Sequence, residues 1–140
     1  MAELKAKHGD TVSFSKTISE SDVYMFAGLT GDFYRMHVDK VFAKSTPLGG
    51  RIAHGVLILG LASTVATLIQ TKYDYGIPAV LYGYDRLRFV RPVFIGDTVT
   101  ACQTVREVDQ ETKKMISRVE ITNQRGEIVL AAECIQKFIE

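Results

Sequence analysis

The spacing of apolar residues along the chain changes period part-way. In the second half, AVLYGYDRLRFV (79–90), DTVTACQTVREV (97–108) and KKMISRVEIT (113–122) alternate apolar with polar positions, and EIVLAAECIQKFI follows them. A period of two with many β-branched and aromatic residues predicts strands. DQET (109–112) and NQRG (123–126) are polar turn sequences between them, so consecutive strands are expected to pair antiparallel. Residues 11–18, TVSFSKTI, predict one more strand near the start. Between these regions the period lengthens. Ser19 with Asp22 forms a capping-box pattern opening a helix through SDVYMFAGL, where Val23, Phe26 and Ala27 share a face. Gly28 and Gly31 close it, Asp39 caps a short turn through VFAK, and STPLGGRIAHG reads as a loop. GDFYRMHVD (31–39) is expected to be a polar loop.

The long helix begins near Gly55 and runs to about Thr71. From Ile52 to Thr71 there is no Asp, Glu, Lys or Arg, a run of about the length that crosses a bilayer. His54, Ser63, Thr64, Thr67, Gln70 and Thr71 interrupt its apolarity, and strand-like segments fill the rest of the chain. The expectation is therefore no membrane span but a helix buried on most sides, with the sheet curled around it. That is an α+β fold in a single domain, 1–140.

Composition narrows the function. The chain is 46% hydrophobic and 24% charged, as in an ordinary globular protein. A formal net charge of +1 argues against nucleic acid as a partner, which usually needs a basic stripe. The N-terminus, MAELKAKHGD, shows no apolar signal segment, and Cys102 and Cys134 form no CxxC or ligand cluster. A cytoplasmic location with reduced thiols is expected. Neither a metal site nor a bound cofactor is expected.

AGLTGDFYRMHVDKVFAKSTPLGGRIAHGVLILGLAST (27–64) and RFVRPVFIGDTV (88–99) resemble the MaoC-like (R)-specific enoyl-CoA hydratases. The specific part is an aspartate, a histidine five residues later, and RIAHG opening a small-residue helix. The resemblance implies the hot-dog fold, a curled antiparallel sheet wrapped around a central helix. It also implies addition of water across the 2,3 double bond of an enoyl thioester carried on coenzyme A, by a homodimer or an assembly of dimers. By the same resemblance Asp32 and His37 activate the water, the Gly55 amide stabilises the thioester oxyanion, and Ser63 supports the pair by hydrogen bonding.

The residue chemistry is consistent with these roles. A carboxylate and an imidazole can hold one water and move its proton near neutral pH. A helix starting just after HG presents free N–H groups and the positive end of its dipole. His54 is expected to orient the loop near the substrate. Arg86 and Arg88 are expected on one strand face and Arg91 on the other, and with Lys40, Lys44 and Arg51 they are candidates for coenzyme A phosphates. The chain departs from the family pattern at one place: its Asn-Pro is Tyr34-Arg35 here. The larger pair is a candidate to narrow the acyl pocket or to meet a substrate anion. An acyl-CoA thioesterase and a non-catalytic acyl-thioester binding module are the competing readings.

Overall fold

The computed structural model describes residues 3–140. Strand β1 (Thr11–Thr17) leads into helix α1 (Glu20–Thr30), two short helices α2 (Arg35–Val38) and α3 (Lys40–Ser45), and the long helix α4 (Gly55–Tyr73). Strands β2 (Ala79–Phe89), β3 (Thr98–Asp109), β4 (Lys114–Thr122) and β5 (Ile128–Phe138) complete the chain. All strand pairs are antiparallel, in the order β1-β3-β4-β5-β2. This is the α+β hot-dog arrangement, an open sheet laid along a long helix.

The local signals act as expected in α1. Ser19 Oγ accepts from Asp22 N while Asp22 accepts from Ser19 N, which closes the capping box. The helix runs through Gly28 and stops at Gly31, whose φ of 83° lets its N–H reach the Ala27 carbonyl in the left-handed turn. Asp39 Oδ1 accepts from Phe42 N and caps α3.

Three expectations change. GDFYRMHVD is not all loop, because α2 forms inside it, closed by Tyr34 O accepting from His37 N and Arg35 O from Asp39 N. The strands do not form one sequential meander, since β2 pairs with β5 rather than with its successor β3. Pro92 to Gly96 carries the chain back over the α4 N-terminus instead of turning a hairpin, and Ala53 N donates to Val93 O at 2.7 Å there. Nor is α4 buried on most sides. Ile58, Leu61, Ala62, Val65, Ala66 and Ile69 face the sheet, whereas Val56 is 60% exposed and Gly60 and Thr67 are also exposed. Five strands bend over one side of a helix but do not close round it. Although α4 is long and apolar enough to cross a membrane, its apolar face is used against the sheet.

The core lies between α4 and the inward positions of β3, β4 and β5, among them Val99, Ala101, Val119, Ile121 and Ala132. A polar seam crosses it. Buried Gln103 donates to Gln136 Oε1 at 2.8 Å and to Ser117 Oγ, and Gln136 Nε2 donates to the Ala66 carbonyl of α4 at 3.0 Å. These bonds fix the helix in position and register over the sheet, because leaving such groups unpaired in the interior costs about 1–3 kcal/mol each. Cys102 and Cys134 are free thiols on β3 and β5, and burial pushes Cys134 up to about 12.

Candidate active site

Three segments meet at the start of α4. α1 ends at Gly31 and delivers Asp32, α2 carries His37, and the RIAHG run brings His54 and Gly55. Ile52 ties the last two segments together. Its N–H donates to the Met36 carbonyl, and its own carbonyl accepts from His37 Nδ1 at 2.7 Å. A carbonyl only accepts, so His37 carries its proton on Nδ1 and turns a bare Nε2 lone pair outward. His54 is oriented in the opposite sense. Its Nε2–H donates to the Asp32 carbonyl at 2.9 Å, and its Nδ1 has no partner among the described residues.

The result is a compact cluster. The side-chain ligand atoms of Asp32, His37 and His54 all lie within 4.8 Å of one another. Asp32 is exposed, His37 is 8% exposed and His54 is 2% exposed, so a wet carboxylate stands beside two dry imidazoles. The His37 and His54 rings stack with centroids 3.8 Å apart, Tyr34 meets His37 edge-on at 5.7 Å, and Phe26 packs on His54 at 4.7 Å. Burial holds His37 below the usual histidine range. Repulsion from His54 works in the same direction, while the Ile52 carbonyl and the Asp32 charge oppose it. Asp32 Oδ1 also accepts from Tyr34 N at 3.3 Å. The carboxylate therefore closes a local turn with one oxygen and keeps the other available.

Gly55 opens α4 beside this cluster. As a first-turn residue it has an N–H with no intrahelical acceptor. A Cβ at Gly55 would stand 2.9 Å from two ring carbons of Phe89, so only glycine fits under that ring. The glycine faces a largely apolar pocket of about 430 Å³, with Val56, Phe89, Arg91, Val93 and Val129 among its walls. Neither Asp32 nor His37 lines it, but its members Ile52 and Gly55 directly adjoin the cluster.

A family model described as MaoC like domain matches residues 3–126. The chain belongs to the MaoC-like family. It is 41% identical over 127 residues to the (R)-specific enoyl-CoA hydratase of Rhodospirillum rubrum, across 91% of this chain and 84% of that protein. It is 38% identical over 130 residues to the 3-hydroxybutyryl-CoA dehydratase of Methylorubrum extorquens, across 92% and 78%. Its fold matches the solved (R)-hydratase of Aeromonas caviae with a TM-score of 0.83 and 29% identity, covering 96% of this chain and 98% of that one.

Within this MaoC-like chain the other sequence-stated residues divide. Tyr34 is the N-cap of α2, and its ring supports His37; Arg35 turns away to Asp39 at 3.4 Å and over the Phe42 ring. Neither narrows the pocket at Gly55. At the Tyr34-Arg35 position the structure has an edge-on aromatic contact to His37 and a turn in which Tyr34 N donates to Asp32 Oδ1. Ser63 is half-buried on α4, and no hydrogen bond joins it to Asp32 or His37 among the described residues. Eight residues of helix rise place it about 12 Å beyond Gly55 along the axis.

Arg86 and Arg88 also lie outside the cluster. Arg86 has a positive φ of 52° where β2 slips register against β5, which breaks the simple alternation expected there. It pairs with Glu133 at 2.6 Å, and Arg88 donates to the Leu87 carbonyl. Sequence reasoning did not find Phe89 over Gly55, Phe26 behind His54, or the Ile52 carbonyl. Aromatics in a strand or on a helix face carry no local mark of what they will cover.

The stack makes a prediction about His54. His54→Gln keeps an N–H donor for the Asp32 carbonyl but removes an imidazole that repels a protonated His37. The sign follows. His37 lies below its ordinary value, so the Nε2 lone pair is present at neutral pH and is lost as pH falls through that lowered value. In His54→Gln the acid limb of kcat/KM is expected to move to higher pH. In His54→Ala kcat should also drop, by about tenfold, because the Asp32 carbonyl loses its donor. An acid limb that stays in place in both variants would rule out the coupling.

Proposed function

We propose that this protein is an (R)-specific enoyl-thioester hydratase, working in reverse as a 3-hydroxyacyl dehydratase. The observation that carries the reading is the cluster of the Asp32 carboxylate with the His37 and His54 imidazoles, which Ile52 and Gly55 adjoin and connect to an apolar pocket. The hydro-lyase class follows from the family, whose relatives act on CoA thioesters by their names.

In the forward direction one water sits between Asp32 and His37. The pair takes one proton as the water oxygen bonds to C3. The π electrons move toward C2 and the thioester carbonyl, whose oxygen accepts the Gly55 N–H. The proton held by the pair then passes to C2, so that H and OH are added and nothing else is consumed. A preorganised donor aimed at the developing oxyanion is worth about 3 kcal/mol. The apolar walls exclude water from the acyl chain and place C3 against the pair.

Mixing the protein with crotonyl-CoA should remove the enoyl absorbance and yield the (R)-3-hydroxy product without releasing thiol. Free thiol would instead indicate a thioesterase. Tight binding without turnover, across chain lengths, would indicate a binding module.

The working unit is proposed to be a homodimer. Val56, Phe89 and Val90 are all about half or more exposed at the α4 N-terminus and the end of β2, and β2 is an open sheet edge. Light scattering at micromolar concentration should give twice the chain mass or a multiple of it, and a monomer would contradict the reading.

A further inference from the structure

Asp32 is exposed, yet both of its backbone polar groups are tied down. Its carbonyl accepts from His54 Nε2 at 2.9 Å, and its N–H donates to Thr30 Oγ1 at 3.3 Å. Thr30 is the last residue of α1, and its hydroxyl donates in turn to the Phe26 carbonyl at 2.8 Å. A carbonyl takes only the hydroxyl proton, so the rotor is fixed and the oxygen lone pairs are left for the Asp32 N–H. Phe26 is also the residue whose ring packs on His54 at 4.7 Å. The contacts therefore close a circuit. It runs from the Phe26 carbonyl to the Thr30 hydroxyl, through the Asp32 backbone to the His54 ring, and back to the Phe26 ring.

The circuit meets a mechanical problem at Gly31. That residue is left-handed, with φ of 83°, and nothing lies within 4 Å of where its Cβ would stand. Glycine in open space leaves the peptide plane between residues 31 and 32 free to swing. A swing would re-aim the Asp32 carboxylate, whose own tie is the 3.3 Å contact from Tyr34 N. Thr30 stands on the other side of this pivot, at the end of a capped helix, and holds the N–H that a swing must release.

We propose that Thr30 is a positioning residue for Asp32: its hydroxyl locks the peptide between Gly31 and Asp32 and so fixes the direction of the carboxylate beside His37. The proposal rests on the hydratase reading above and adds a residue to the same site. Thr30 does not line the pocket at Gly55, so its effect passes through Asp32 and not through the acyl chain.

Thr30→Val exchanges the hydroxyl for a methyl and keeps the β-branch. In that variant kcat for crotonyl-CoA should fall about tenfold with KM unchanged, as a misaimed group loses rate and not affinity. Thr30→Ser keeps the hydroxyl and should stay within about twofold of native. In the Asp32→Asn background Thr30→Val should cost less than about twofold, because the group it aims is already gone. Exchange of the Asp32 amide proton, followed by NMR, needs no turnover. It should quicken about fivefold or more in Thr30→Val and in Thr30→Ala, the better helix former, and remain near native in Thr30→Ser. Unchanged exchange in both hydroxyl-free variants would overturn the assignment, whether or not any of them hydrates a thioester. So would an equal kcat loss in the native and Asp32→Asn backgrounds, or a loss shared by Thr30→Ser, either of which would mark a general structural effect. Native protein whose Asp32 amide is protected through Thr30 but that hydrates no thioester would keep the anchor and remove the hydratase reading.

Discussion

Asp32→Asn and His37→Gln should each lower kcat for crotonyl-CoA hydration by about 10²–10⁴-fold, the usual worth of a positioned acid or base. KM should change little, because neither side chain lines the apolar pocket. Asparagine keeps an acceptor oxygen for Tyr34 N, so the local turn survives while the carboxylate charge is gone. Glutamine keeps much of the volume between Tyr34 and His54 but has no lone-pair nitrogen to take a proton. Thermal midpoints should stay close to that of the native protein for Asp32→Asn, since Asp32 is exposed. The double variant should be scarcely slower than the slower single variant, because two groups that move one proton act as a unit. Losses below about tenfold in both single variants, with intact folding, would sink the assignment of the pair.

Gly55→Ala is the second large effect. Alanine retains the backbone N–H, so a purely electronic account of the oxyanion donor predicts little change. The geometry predicts otherwise. The new methyl would enter at 2.9 Å from the Phe89 ring, and both the ring and the start of α4 must shift. A donor displaced from the carbonyl loses most of its contribution, so kcat should fall by about 10²-fold. Phe89→Ala alone should cost less, because it enlarges the pocket without moving the amide. In the double variant the added methyl has room, and kcat should recover part of the loss. If Phe89→Ala restores nothing in the Gly55→Ala background, the close approach of that ring is not what makes glycine necessary.

Much of this arrangement was legible in the sequence, because its causes are local. The capping box at Ser19, the Asp39 cap, the alternation of β3 and β4 and the turns that join β3 to β4 and β4 to β5 each act within a few residues, and each forms as expected. The aspartate–histidine spacing and RIAHG were legible only by resemblance. Spacing alone does not separate a water-holding pair from a capped turn, and Asp32 in fact caps one.

The less legible parts depend on contacts between distant segments. A short helix forms inside GDFYRMHVD, and the Ile52 carbonyl, 15 residues beyond His37, selects which nitrogen of that ring carries the proton. β2 passes over its neighbour in sequence to pair with β5, and that choice lays Phe89 over Gly55. The backbone at Arg86 was not legible either, because a left-handed residue where β2 slips against β5 interrupts the pleat.

The sequence by itself determined the elements, their caps and the chemical types available, since propensity, period and hydrogen-bonding capacity are properties of short stretches. Tertiary structure alone decided which imidazole nitrogen is bare, which side chain shades Gly55, and which lysines are left without a counter-charge. Each of those depends on a carbonyl, a ring or a carboxylate supplied from elsewhere in the chain, and only folding decides whether it arrives.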